Sequence, residues 1–471
     1  MQSLDAECHD INVPLVQFKG HSLLLATTRA IKTRFVSLLV AQALHRSPAE
    51  AVIVIDPKGD LELKTLLCSE AKAAGREKDF LFFHPAFPEK SISINPLNNY
   101  SRSTELATRL VDVMKGGDKD DAFSAFAWRA INSIVNGLIY VGLEPDILLI
   151  KQTIDQGVGD LLAKGISKYK LAKESSAEQN ELFQQFLLDA RPISNDLKTL
   201  IPYYKDEQQA GRSENCLDDL LSFYSHNKTH ASKMLANLVP LLGQLTSSSL
   251  APLLSPVSCQ CKKEKIIDMA RVVSQKKIIY IGLDCMSDPI VGAAVGQILL
   301  ADLAAVAAQR YNYSQDFSRV NLYIDEAHSV TNNSLLTLAN QGAGAGIDLF
   351  LASQTLSDFV VALGSEEHAL KLLGNLNNII CGRIIDPWTQ KLISERFGKT
   401  RIDQVMKTRS ESTGTGAGLL DWNSAWGERQ SLEETDLVPA AVLGRLPNME
   451  YFAMLASGSL IKGKIPVLKN D

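Results

Sequence analysis

The sequence predicts an α/β fold: a doubly wound, mostly parallel sheet into which an all-α domain is inserted. Three observations predict it. Short, continuous apolar runs recur near the start of the chain and again in its second half. The stretch between them shows helical spacing with almost no β-branched runs. Finally, 471 residues at 45% hydrophobic and 21% charged is ordinary globular composition, long enough for two or three domains at about 150 residues each.

The apolar runs fall at 21–26, 51–56, 277–282, 320–325, 347–352 and 378–383. Continuous rather than alternating runs mark strands covered on both faces, as in a parallel sheet. Several end in Asp or small polar residues, at the edge where such sheets bind ligands. Between them, Phe123, Phe126, Ala127, Ala130, Ile131, Ile134 and Val135 follow helical spacing. Met234, Leu238, Leu241, Leu242 and Leu245 do the same. The division expected is 1–100 and 258–471 for the sheet domain, with 101–257 as the helical insertion. Residues 411–418 read as a flexible loop by their Gly, Ser and Thr content, and no internal repeat is evident.

Charge and cysteine usage exclude several classes. A net charge of −5 rules out a histone-like basic binder but leaves a locally basic channel open. Seven scattered cysteines indicate a reducing compartment. Cys259 and Cys261, beside Lys262, Lys263 and Lys265, lack a second ligand pair and read as a surface loop. Asp5, Glu7 and Asp10 break any secretory signal in the first 20 residues. The longest apolar stretch, 291–308, is interrupted by Gln297 and Asp302 and reads as a buried helix, so the chain as written is expected to be soluble and cytoplasmic.

The first chemical motif is 26–33, Ala-Thr-Thr-Arg-Ala-Ile-Lys-Thr, after a strand and opening a helix. A phosphate-binding loop reads G-x-x-x-x-G-K-[ST] in that context. Lys32 takes the phosphate-neutralising role and Thr33 the magnesium role, while Ala26 and Ile31 replace both glycines. A β-branched Ile31 is expected to strain the loop or crowd the ligand. An ordinary strand–turn–helix with a solvated lysine is the alternative. The second motif is an apolar strand ending in Asp325 and Glu326. There Asp325 would serve the magnesium and Glu326 would orient and deprotonate the attacking water. Two acids capping a strand are the bland reading of that pair alone. Gln354, at the end of the next strand, is a candidate sensor of hydrolysis, and Arg383 a candidate arginine finger toward a neighbour's nucleotide. The run 56–60, Asp-Pro-Lys-Gly-Asp, either presents Lys58 and two acids to a nucleotide or neighbour or forms a plain turn.

Taken together, these motifs, with F-A-W-R-A-I-N at 126–132, Y-I-G-L-D at 280–284, N-Q-G-A-G-A-G-I at 340–347, S-Q-T-L-S-D at 353–358 and G-N-L-N-N at 374–378, resemble the TraD-type coupling ATPases of integrative conjugative elements. The resemblance covers nearly the whole chain, and it places the fold among FtsK/HerA-like, RecA-like P-loop NTPases. It implies ATP and magnesium as cofactors, with Thr28, Arg29, Lys32, Thr33 and Arg34 around the nucleotide and Thr33 and Asp325 at the metal. It also implies a homo-hexamer at the inner membrane that takes single-stranded DNA and relaxase to a type IV secretion channel. Family members carry G-T-T-R-x-G-K-T and N-terminal transmembrane helices, and this chain shows neither. Two other readings stay open at this point. One is a nucleotide-binding-defective homologue serving as adaptor or ring subunit; the other is a DEAH-type helicase, prompted by Asp325-Glu326-Ala327-His328.

Overall fold

In the computed structural model, residues 10–15, 18–27, 31–46, 49–114, 122–174, 197–261, 266–313, 318–412 and 423–466 are described. In chain order the strands are β1 (Ser22–Leu25), β2 (Ala51–Asp56), β3 (Phe80–Phe83), β4 (Ser93–Ile94), β5 (Ile266–Ile267), β6 (Ile278–Gly282) and β7 (Val320–Ile324). They continue with β8 (Ile347–Ser353), β9 (Asn378–Cys381), β10 (Lys399–Ser412), β11 (Asn423–Asp436), β12 (Glu450–Met454) and β13 (Leu460–Lys464). Nine of them form one sheet in the order β13-β12-β9-β1-β8-β7-β2-β6-β3. All neighbours from β9 to β3 pair parallel, and the β12–β13 hairpin closes one edge antiparallel.

The continuous apolar runs are explained by what covers them. Alternate residues of each central strand enter two separate apolar clusters: Leu23, Ile53, Ile279 and Leu322 join one, and Leu24, Val52, Ile278 and Tyr323 the other. Both faces are therefore buried, and each strand must be apolar at every position.

From Thr104–Met114 to Ala251–Leu254 the described elements are all helices. Ala122–Val141 buries Ala127, Ala130, Ile131, Ile134 and Val135, as the spacing predicts. The second pattern is divided between two helices. Met234 ends Lys228–Met234 half-buried, and Leu238–Leu245 starts afresh, burying Leu238, Leu242 and Leu245. Pro240 explains the break, since proline is tolerated in a first turn but removes a hydrogen bond from a helix interior.

The apolar stretch 291–308 lies in the helix Pro289–Tyr313, which has the length and mean hydropathy (2.0) of a membrane span but is 67% buried in the protein over its most apolar window. Within it Asp302 is fully buried and faces Arg109 Nη1 at 3.5 Å, tying this helix to Thr104–Met114. Burial pushes the Asp302 carboxyl up to about 6 against the opposing pull of Arg109, and lowers the Arg109 guanidinium as well.

One expectation is corrected. Glu411 and Ser412 end β10, which pairs antiparallel with β11 over fourteen residues, so they belong to a strand rather than a loop. Both strands of this ribbon are mostly polar in sequence, so no continuous apolar run announces them. Residues 413–418 lie outside the described residues, as do 1–9, Thr28, Arg29, Lys262, Lys263 and Lys265.

Burial also gives β1 a pH dependence. His21 is 2% exposed and its Nδ1 accepts the Leu349 amide at 3.1 Å. Desolvation lowers its pKa, against the opposing effect of Asp348. The unfolded chain therefore takes up the proton first, and stability is lost as pH falls below about 6.5. His21→Asn, which retains an acceptor, is expected to show a smaller drop in melting temperature between pH 7 and pH 5. Equal drops in the two proteins would refute this.

Candidate active site

The strand order fixes which loops meet. In the sequence β1–β8–β7–β2, four adjacent parallel strands end side by side, so the residues that follow them share one edge. Those residues are Lys32 after β1, Gln354 after β8, Asp325 and Glu326 after β7, and Lys58 after β2. All but Asp325 meet on a single atom. Glu326 Oε1 accepts from Lys32 Nζ at 2.7 Å, Lys58 Nζ at 2.6 Å and Gln354 Nε2 at 3.1 Å. Its Oε2 is buried, makes no hydrogen bond among the described residues, and lies 3.8 Å from His328 Nδ1.

Glu326 is held in an uncommon conformation. Its φ of 41° and ψ of 51° are left-handed, and its amide donates to Asp325 Oδ1 at 2.9 Å. For a non-glycine residue this conformation costs about 1–3 kcal/mol and persists only where the surroundings over-determine it. Burial pushes the Glu326 carboxyl up, but the bonds from Lys32 and Lys58 outweigh that and hold it down at about 2. Asp325, also buried, goes the other way: desolvation raises its pKa despite Lys32. Lys58 is itself partly desolvated, which favours its neutral form, yet Glu326 wins and raises its pKa.

The replaced glycines have a local explanation. Ile31 is 3% exposed and its Cγ2 would lie 2.6 Å from a Cβ placed on Gly382, with the Ala26 methyl at 3.0 Å from the same point. The isoleucine thus turns into the core over a glycine on the neighbouring strand's loop. Its φ is −158°, so no left-handed backbone is required of it. Ile31→Gly is accordingly expected to cost about 2–5 kcal/mol through the cavity it leaves, with no gain in nucleotide affinity. Chemical denaturation with parallel ATP titration checks this; a variant that binds more tightly without losing stability would refute it.

The other residues singled out from the sequence are placed as follows. Thr33 is half-buried on the first turn of the helix Lys32–Leu44, beside Lys32. Arg34 is exposed, and its guanidinium reaches Met449 Sδ at 3.6 Å rather than Glu326. Arg383 donates to Asn448 Oδ1 at 3.0 Å, and its carbonyl accepts the Thr27 amide at 2.9 Å. It therefore lies beside the loop after β1 without joining the Glu326 cluster. Sequence reasoning left Lys58 open and missed His328, Ser353 and Gly382. His328 Nδ1 is 3.2 Å from Ser353 Oγ. The Asp-Glu-Ala-His run carried the only available signal for it.

Residues 319–448 match the family model described as the TraM recognition site of TraD and TraG. No curated protein matches the chain. Among solved structures it is similar to the bacterial conjugative coupling protein TrwBdeltaN70 in its unbound form, at 14% identity and a TM-score of 0.61, covering 95% of this chain and 85% of that one. TrwB with the non-hydrolysable GTP analogue GDPNP aligns at 14% identity and 0.62, over 97% and 88% of the two chains. TrwB with ADP and Mg2+ aligns at 14% identity and 0.60, over 97% and 87%. The fold is similar to that of TrwB, a large mostly parallel sheet with a helical domain, and the match over residues 319–448 agrees with the resemblance to TraD-type coupling proteins read from the sequence.

Proposed function

We propose that this protein is a conjugative coupling protein, an ATP-driven motor that moves single-stranded DNA with its relaxase into a type IV secretion channel. The observation that carries the reading is the convergence of Lys32, Lys58 and Gln354 on Glu326 at one sheet edge, with Asp325 beside it. These residues fit a magnesium nucleotide. Two ammonium groups share one carboxylate oxygen, the second oxygen is buried without a hydrogen bond among the described residues, and Asp325 is a desolvated carboxylate suited to a divalent cation. Ile31 is buried and packs over Gly382, which supports a phosphate path clear of its side chain. Complexes of TrwB with GDPNP and with ADP and Mg2+ support nucleotide binding by this fold.

When bound, magnesium ATP supplies the transferable phosphoryl group. Lys32 and the first amides of its helix would hold the phosphate charge. Thr33 and Asp325 would hold the metal, and by resemblance Thr28, Arg29 and Arg34 would contact the nucleotide. Glu326, ionised at neutral pH, accepts a proton from water at its carboxylate, and Gln354 orients that carboxylate through its side-chain amide. Arg383 would reach a neighbouring subunit's nucleotide in a homo-hexameric ring, peripheral to the inner membrane. Residues 1–100 and 258–471 form the nucleotide-binding domain in this reading, and 101–257 the helical domain. DNA would be gripped through its backbone charge, which makes binding salt-sensitive and independent of sequence.

A second reading rests on the same pair. Lys32 closed on Glu326 is a site satisfied without nucleotide, as expected of a ring subunit that keeps interfaces but not turnover. ATP titration and hydrolysis with and without single-stranded DNA separate the two. The motor reading expects binding and DNA-stimulated turnover, whereas no binding favours the structural subunit.

A further inference from the structure

Lys58 is delivered to Glu326 by a purpose-built turn. Asp56, fully buried at the end of β2, accepts the Lys58 amide on Oδ1 at 2.9 Å and the Asp60 amide on Oδ2 at 2.6 Å. The Tyr280 hydroxyl reaches the same Oδ2 at 2.8 Å and the Asp60 carbonyl at 2.9 Å. Gly59 has φ +74°, and His84 Nε2 lies 2.5 Å from where a Cβ would stand, so no side chain fits there. Asp60 then caps the helix Leu61–Ala73 through the Glu62 amide. A buried carboxylate, a tyrosine and a glycine thus fix the backbone of one lysine, whose side chain crosses from β2 to the acid after β7.

Two lysines on one carboxylate oxygen are redundant unless one of them leaves. Lys32 stands at a helix N-terminus, where phosphate charge is favoured. A triphosphate at that N-terminus would draw the Lys32 ammonium toward itself and away from Glu326 Oε1. Lys58 comes from the opposite side and is 44% exposed at its side chain, so water or Glu326 satisfies it. Building on the motor reading, we propose that Lys58 is a positioning residue, holding the Glu326 carboxylate in place when Lys32 turns to the triphosphate.

Lys58→Met is expected to lower kcat by about 10- to 100-fold, the cost of a slightly misplaced general base, with the equilibrium Kd for ATP little changed. Lys58→Arg should recover part of kcat. A phosphate ligand would instead weaken Kd while sparing kcat, and that result would overturn the proposal. A second readout needs no turnover. Lys58 acylation by acetic anhydride, followed by mass spectrometry, should be slow in the nucleotide-free protein and faster in Glu326→Gln. Added ATP should leave that faster labelling in Glu326→Gln unchanged. Equal labelling of wild type and Glu326→Gln, or protection restored by ATP in the variant, would overturn the proposal. A wild-type protein that binds no ATP overturns the motor reading and this role with it. Failed labelling in a protein that does turn over ATP overturns this inference alone.

Discussion

Glu326→Gln is expected to lower ATP turnover by about 10²- to 10⁴-fold, the range removed with a general base, and at the same time to tighten ATP binding. Tighter binding follows from the geometry. In the native protein Lys32 Nζ is 2.7 Å from Glu326 Oε1, with side chains 6% and 4% exposed, so an incoming phosphate competes with a desolvated ion pair. The amide removes that competitor and leaves buried Lys32 without its hydrogen-bonded carboxylate, with the charge of Asp325 beside it. Breaking a buried pair in this way costs about 3–5 kcal/mol, so the nucleotide-free variant should melt below wild type. ATP then supplies the missing negative charge, and the thermal shift on adding it should exceed that of wild type. Isothermal titration and melting curves, each with and without ATP, measure all three quantities. A variant that binds ATP more weakly than wild type would show that Lys32 and Glu326 are not competing for phosphate.

Arg109→Met is expected to be the most destabilising single change away from the active site. Among the described residues it leaves Asp302, fully buried, with Asn99 Nδ2 at 3.1 Å and the Met269 amide at 3.2 Å. The loss expected is about 3–5 kcal/mol. Because burial already disfavours both charges, the pair is a poor contributor relative to apolar packing. The double variant Arg109→Met with Asp302→Leu should therefore recover much of that loss. Denaturant midpoints of the two variants decide the matter. A double variant as unstable as the single one would mean that the hydrogen bonds to Asn99 and Met269, rather than charge, hold these helices together.

The central strands were legible because burial on both faces writes a continuous apolar run into the sequence, as at 51–56 and 320–325. The hairpin beyond β9 was not. β12 and β13 have half-exposed residues and contain Glu450, Lys462 and Lys464, so they lack the run that marks a covered strand. The acids and the lysine–threonine pair were readable as motifs, and the structure brings Lys32 to Glu326. Lys58 stayed ambiguous for a physical reason: periodicity identifies a strand but does not say that β2 lies beside β7. Nor could local sequence show that Ile31 is accommodated by Gly382, some 350 positions away, through the pairing of β1 with β9.

β4 and β5 pair in parallel, Ser93 against Ile266 and Ile94 against Ile267, so the chain departs into the helices and comes back at the same spot. Such an excursion has both feet on one stone. Its contents could be exchanged between related proteins without rerouting any strand of the large sheet, which makes the helical portion a cartridge as far as topology is concerned. The buried Arg109–Asp302 contact, with the apolar cluster that runs from the sheet into the helices, is what a transplanted cartridge would have to match.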